Sequence, residues 1–220
     1  MRRRLAILGA LIMVFSLCGC SGGKKAAFSA SKEAYDNINS AYVIVDEYGS
    51  NLYEAWRLGI YKEDDLSLDF LAKELNMDKE DLKAGVAYLF YEEEWASLTQ
   101  EEKEEKISNG ESLFDFALEL VDSKFSFCVE VVSDTYKANG KVEKVQELLS
   151  TAKGQMKMLS EKYSDYEHYP ALKGYYTTTN AFFDFCMSPS GSFEQVKTTI
   201  NDYRNDCRNY EKDLNYIFED

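Results

Sequence analysis

Apolar or small side chains recur three and four residues apart over long stretches of this chain, a spacing that one face of an α-helix satisfies and a strand does not. From Phe28 the positions are Ser31, Tyr35, Ile38, Tyr42, Val45, Gly49, Leu52, Trp56 and Gly59. The alternation returns at Val142, Val145, Leu149, Ala152, Met156, Leu159, Tyr163 and Tyr166, and again at Phe193, Val196, Ile200, Tyr203, Cys207, Tyr210, Leu214 and Ile217. A fourth copy runs through Leu113, Ala117, Leu120, Lys124, Phe127, Val131 and Thr135, with Phe114, Val121, Cys128 and Val132 beside it. Only Pro170 and Pro189 interrupt the 220 residues, so long helices meet few breakers. The expected fold is all-α: an elongated antiparallel bundle of about four long helices, each hiding its stripe against the others.

Boundary residues agree with the stripes. Asn109 and Gly110 precede the second long helix, Gly140 separates it from the third, and Pro170 ends or kinks that one. Ser192 with Gln195 forms a capping box after the turn-like Ser188, Pro189, Ser190 and Gly191. Between the first two long helices, shorter helices are expected over Leu66 to Leu75, Lys79 to Glu94 and Gln100 to Ile107, a short-helix insert spanning 62–109. Ala171 to Met187 either continues the third helix past a kink or folds back as its own helix. Tyr175 to Thr179 have local β propensity, but Leu172, Tyr176, Thr179, Phe183 and Cys186 keep the helical stripe. Residues 27–220 read as one domain, enough chain to bury about 70% of its unfolded surface, and 16 Tyr with 13 Phe supply large side chains for that core.

The first residues carry a different signal. Three arginines precede an apolar run from Leu5 to Leu17, which is followed by Cys18, Gly19 and Cys20. A basic start, a short hydrophobic stretch and a small residue before the cut describe a secretory signal over 1–19. The run is short for a helix across the roughly 30 Å hydrocarbon layer. Leu17 to Cys20 resembles the lipobox of bacterial lipoproteins. That resemblance implies cleavage before Cys20, a lipid anchor such as palmitate on its sulfur, and residence at the extracytoplasmic face of the cell membrane; the rival Cys18 would place Leu17 just before the cut. Two acyl chains suffice for stable attachment where one is marginal. Residues 20–26 then read as the lipidated cysteine and a flexible tether, with Ser21 to Lys25 reaching about 12 Å as a random coil. Lys24 and Lys25 either add attraction to an anionic surface or keep the tether soluble.

The chain has 25 basic and 39 acidic side chains; without Arg2, Arg3 and Arg4 the balance is 22 to 39, a formal charge of −17. Such a body repels nucleic acid, and no nucleic-acid partner is expected. The acids concentrate at Glu92, Glu93, Glu94, Glu101, Glu102, Glu104 and Glu105, without the ligand spacing of a calcium loop, and read as a solvated helix face. His168 is the only histidine. A di-iron bundle needs Glu-x-x-His from two helices, and a zinc hydrolase needs two histidines at helical spacing, so neither fits. No glycine-flanked nucleophile elbow accompanies His168, and Asp165, three residues earlier, reads as a helix-end partner. Ser29 to Lys32 matches Ser-x-x-Lys but lacks its companion elements, and no glycine-rich phosphate loop is present. No catalytic, cofactor or metal residues are therefore assigned. Cys128, Cys186 and Cys207 allow at most one internal bridge, from Cys128 to either of the others, and otherwise read as reduced core residues.

Tyr175, Tyr176, Phe182, Phe183 and Phe185 give Ala171 to Met187 more apolar directions than one stripe requires. With Tyr176 and Phe183 facing the core, Tyr175, Phe182 and Phe185 become the candidate partner or ligand surface, the alternative being a central helix buried on several sides. Trp56 and Trp95 read as packing residues. The stretch from Lys173 to Tyr203, containing Lys-Gly-Tyr-Tyr-Thr-Thr, Phe-Asp-Phe-Cys and Phe-Glu-Gln-Val-Lys-Thr-Thr-Ile-Asn-Asp-Tyr, resembles tyrosine-rich helical lipoproteins of bacteria that have no assigned activity. The expected function is a membrane-anchored, non-enzymatic bundle that binds an envelope or extracellular protein or serves a structural role. The alternative is a lipoprotein binding a small ligand or solute through the aromatics of 171–187.

Overall fold

The computed structural model describes Cys20 to Phe218, so the signal segment and Leu17 to Gly19 lie outside the described residues. Among the described residues there are nine helices and no strand: α1 Cys20–Tyr61, α2 Leu68–Leu75, α3 Lys79–Trp95, α4 Gln100–Ser108, α5 Gly110–Leu120, α6 Lys124–Ala138, α7 Lys141–Lys162, α8 Tyr169–Met187 and α9 Phe193–Phe218. The all-α expectation holds.

With 42 residues, α1 is a rod of about 63 Å at 1.5 Å per residue. It packs against α6, α7, α8 and α9. Its stripe is buried as read, from Tyr35, Ile38 and Val45 to Leu52 and Trp56. Complete burial of each Ile, Val or Leu contributes about 1.5–3 kcal/mol. Among the described residues, every fully enclosed hydrophobic residue lies between Ala27 and Phe218, so a chain starting at residue 21 contains all of that core.

Pairings across the rods set their directions. Along α9, Phe218 meets Phe28, Asn215 meets Tyr35, Arg204 meets Asp46 and Phe193 meets Tyr53, so α9 runs antiparallel to α1. Along α8, Tyr175 meets Asn39 and Phe182 stands against Gly49, so α8 runs parallel to α1. Phe125 of α6 stacks on Trp56 and Tyr136 on Tyr48; Lys141 of α7 then pairs with Glu47, and Tyr163 just past its end meets Gly23. Helices α6 and α7 therefore follow one another along α1 in the same direction. Gly140 is a joint between them rather than a reversal, and its φ of 68° is left-handed backbone suited to glycine. The four rods are thus α1, the α6–α7 pair, α8 and α9.

One expectation is corrected and one open alternative is decided. The second long helix is two: α5 ends at Leu120, and Ser123 caps α6 by accepting from the Ser126 amide at 3.4 Å. Val121 to Ser123 leave the helix because Phe114 and Phe127, 5.2 Å apart, close a core between α5 and α6 that one straight rod could not form. Second, α7 stops at Lys162 and α8 begins at Tyr169, with Pro170 in its first turn, where the missing N–H has no helical partner to lose. Ala171 to Met187 therefore folds back as a separate helix. Residues Cys20 to Ala26 fall within α1 as described, Lys24 to Ala26 are exposed, and burial on this helix starts at Ala27 and Ala30.

The insert forms α2, α3 and α4. As expected, Asp78 caps α3 through the Glu80 amide at 2.7 Å, and Thr99 with Glu102 makes a capping box on α4. No residue of α4 is buried, and Glu101, Glu104 and Glu105 face solvent, so this acidic run is a solvated helix. The insert attaches chiefly through α3, whose Gly85 lies against α6: a Cβ there would stand 2.1 Å from Thr135 Oγ1 and 2.7 Å from the Val131 carbonyl oxygen. Those backbones cannot approach as closely with any larger residue. Gly85→Ala is expected to destabilise the protein by about 1–3 kcal/mol through overpacking, read as a lowered midpoint in denaturant unfolding; an unchanged midpoint would show that the two helices are not in this contact.

Candidate functional site

At one end of the bundle the start of α1, the end of α7, the start of α8 and the end of α9 converge. They leave a cleft of about 640 Å³, within the size range of small-ligand sites. Its walls come from the first turns of α1, including Gly23, Lys24 and Phe28, and from the connection Lys162 to His168. This connection turns through hydrogen bonds from the Tyr166 amide to the Tyr163 carbonyl at 3.0 Å and from the Tyr169 amide to the Tyr166 carbonyl at 3.0 Å.

The cleft mixes chemistries. Lys24 and Lys162 bring cationic ends, Asp165 and Glu167 carboxylates, and Phe28, Tyr163 and His168 ring surfaces. Phe28 is 43% exposed and touches Phe218 of α9 at 5.5 Å between ring centres. The His168 ring stands edge-on to Tyr166 at 5.2 Å and to Phe218 at 6.4 Å. Its Nε2 lies 3.4 Å from Glu167. The partner of His168 is thus Glu167, not Asp165, because the residues from Tyr163 to His168 are not helical and the three-residue spacing does not bring 165 and 168 onto one face. Beneath the cleft, the Tyr166 hydroxyl is buried against Ser31 without a hydrogen bond of ordinary geometry. The Ser31 hydroxyl is committed to the Ala27 carbonyl at 2.7 Å. Burial raises the Tyr166 phenol above its ordinary value.

The aromatics singled out on α8 are placed elsewhere. Tyr175 and Phe182 are wholly buried, and Phe185 is partly buried against the core. Tyr175 donates to Asn39 Oδ1 at 2.9 Å, Phe182 stacks on Tyr203 at 5.5 Å, and Phe185 lies 6.1 Å from the same ring. They do not form a partner surface, because α8 is covered by α1, α7 and α9 together and so needs apolar side chains in several directions. The loop residues of the cleft escaped sequence reading because Tyr163 and Tyr166 continue the α7 stripe in register. Only Ser164 and Asp165 between them hinted at a turn.

Cys128, Cys186 and Cys207 are free and buried, as expected. Burial pushes the Cys128 and Cys207 thiols up to about 12, and raises Cys186 as well. Among the described residues no group of three or more His, Cys, Asp or Glu side chains is arranged to hold a metal ion, and no helix is long and apolar enough to cross a membrane. Comparison with family models, curated proteins and solved structures returns no match.

Two outcomes follow from this geometry. Tyr166→Phe removes a buried hydroxyl that gains little from the fold, so stability is expected to stay level or rise by up to about 1 kcal/mol; a clear loss in thermal unfolding would mean the hydroxyl has a partner. At pH 7–8, iodoacetamide is expected to leave Cys128, Cys186 and Cys207 unmodified in the native protein and to alkylate all three in guanidinium, as read by peptide mass, since the thiolate is the reactive form.

Proposed function

We propose that this protein is a lipid-anchored, extracytoplasmic helical bundle, attached to the cell membrane through Cys20, and that it works by binding another envelope protein rather than by catalysis. The observation that carries the reading is in the sequence: the lipobox resemblance at Leu17 to Cys20 comes just ahead of the packed length of α1, the helix against which every other rod packs. Acylation there would hold the start of the bundle close to the lipid. The base cleft then lies at the bilayer surface, and Tyr61 is held about 60 Å along the rod from it.

A binding role accords with how the polar side chains are used. Arg204, Asp46, Asn51, Tyr136, Asn39 and Tyr175 are spent on bonds between helices, and the thiols are enclosed. In the native host, intact-mass measurement of the membrane-bound protein is expected to show the chain cleaved before residue 20 with an added diacylglyceryl mass. Cys20→Ser should abolish that mass and release the protein from the membrane fraction, while Cys18→Ser should change neither. A Cys20→Ser protein that keeps its lipid overturns the reading.

A further inference from the structure

We propose that the cleft at the base of the bundle is a subsite for a phosphodiester-linked ammonium, the headgroup chemistry of a zwitterionic phospholipid. The proposal rests on the membrane-anchored reading for its source of ligand, and on the lining of the cleft for its chemistry. Lys24 on α1 and Lys162 at the end of α7 approach from two elements, and among the described residues neither makes an ion pair. They suit the phosphate, as Lys does when acting as a point charge. Asp165 and Glu167 on the connecting loop supply the complementary charge for an ammonium, and the exposed ring of Phe28 beside Tyr163 supplies π-faces of the kind that bind alkylammonium groups.

A simple anion site would not place two carboxylates in the same cleft. A purely cationic ligand would be opposed by two lysines. A ligand carrying both charges satisfies both sets, and a cleft of about 640 Å³ is roomier than a bare phosphate needs. The position agrees: the cleft opens among the first turns of the helix that begins at Cys20, and Tyr216, 80% exposed, lies one turn from the end of α9. Tyrosine is enriched where membranes meet water.

The test uses residues 21–220, which hold all of the core among the described residues and lack the candidate anchor, with helicity checked by circular dichroism. Co-sedimentation is measured with vesicles of phosphatidylethanolamine and phosphatidylcholine, and separately with phosphatidylglycerol. Glycerophosphoethanolamine is titrated in solution by NMR. The body is expected to pellet with the zwitterionic vesicles and not with phosphatidylglycerol, whose uniform negative charge opposes a protein of this acidity. Lys24→Ala with Lys162→Ala, and separately Asp165→Asn with Glu167→Gln, should each lower pelleting at least fivefold at unchanged melting temperature. Shifts with the soluble compound but no pelleting would keep the ligand chemistry and overturn the bilayer as its source. Equal pelleting on phosphatidylglycerol, or no binding in either arm, would overturn the proposal. Because this body carries no lipid, failure here is distinct from failure of the Cys20 acylation test.

Discussion

Burial of α1 on several sides at once is the constraint on which the remaining structure depends. A surface helix needs one apolar stripe, but α1 must serve α6, α7, α8 and α9 along its length. It does so with small residues between large ones: Ala34, Ala41 and Ala55 are wholly buried beside Tyr35, Ile38, Tyr48 and Leu52. The small positions let neighbouring rods approach, and the large ones fill the space between them. Helices α6 and α7 each cover only part of α1, and α6 also packs closely on α3, so the long helix joins α7, α8 and α9 to the α3–α6 pair.

Hydrophobic stripes alone leave sliding and rotation open, because any apolar face packs on another. Side-chain bonds restrict those choices. Arg204 of α9 bonds the Asp46 carboxylate, the Asp46 carbonyl at 3.2 Å and Ser50 Oγ at 2.6 Å. Asn51 donates to the Tyr136 hydroxyl at 3.0 Å, and Tyr48 bonds Ser133 at 2.7 Å. Breaking one side of a buried pair strands the other, a cost of about 1–3 kcal/mol for a neutral group. Any register other than the observed one incurs that cost at several levels of the bundle. Many tyrosines suit this task, since each brings a ring for the core and a hydroxyl for the cross-link.

Much of the fold was legible in advance. The stripes of α1, α7 and α9, the caps at Asp78, Thr99 and Ser192, and the buried state of the cysteines follow from period and local hydrogen bonding. The breaks at Val121 to Ser123 and after Lys162 were not legible, because the apolar period passes through both in register. The aromatics of α8 left two readings open for a related reason. An excess of apolar directions describes either an exposed patch or a helix covered on several sides, and the neighbours that decide between them are remote in sequence. The base cleft was invisible for the same cause, being assembled from α1 and the α7–α8 connection, separated by well over a hundred residues.

By itself, the amino-acid order determined that this chain is helical, where its caps fall and which face of each long helix is apolar, since these depend on side chains within one or two turns of one another. Tertiary structure decided the direction of each rod, the end-to-end course of α6 and α7 along α1, and the choice of core over surface for the α8 aromatics. Those outcomes turn on the shape and hydrogen-bond partners that distant segments present to one another, and no local period carries that information.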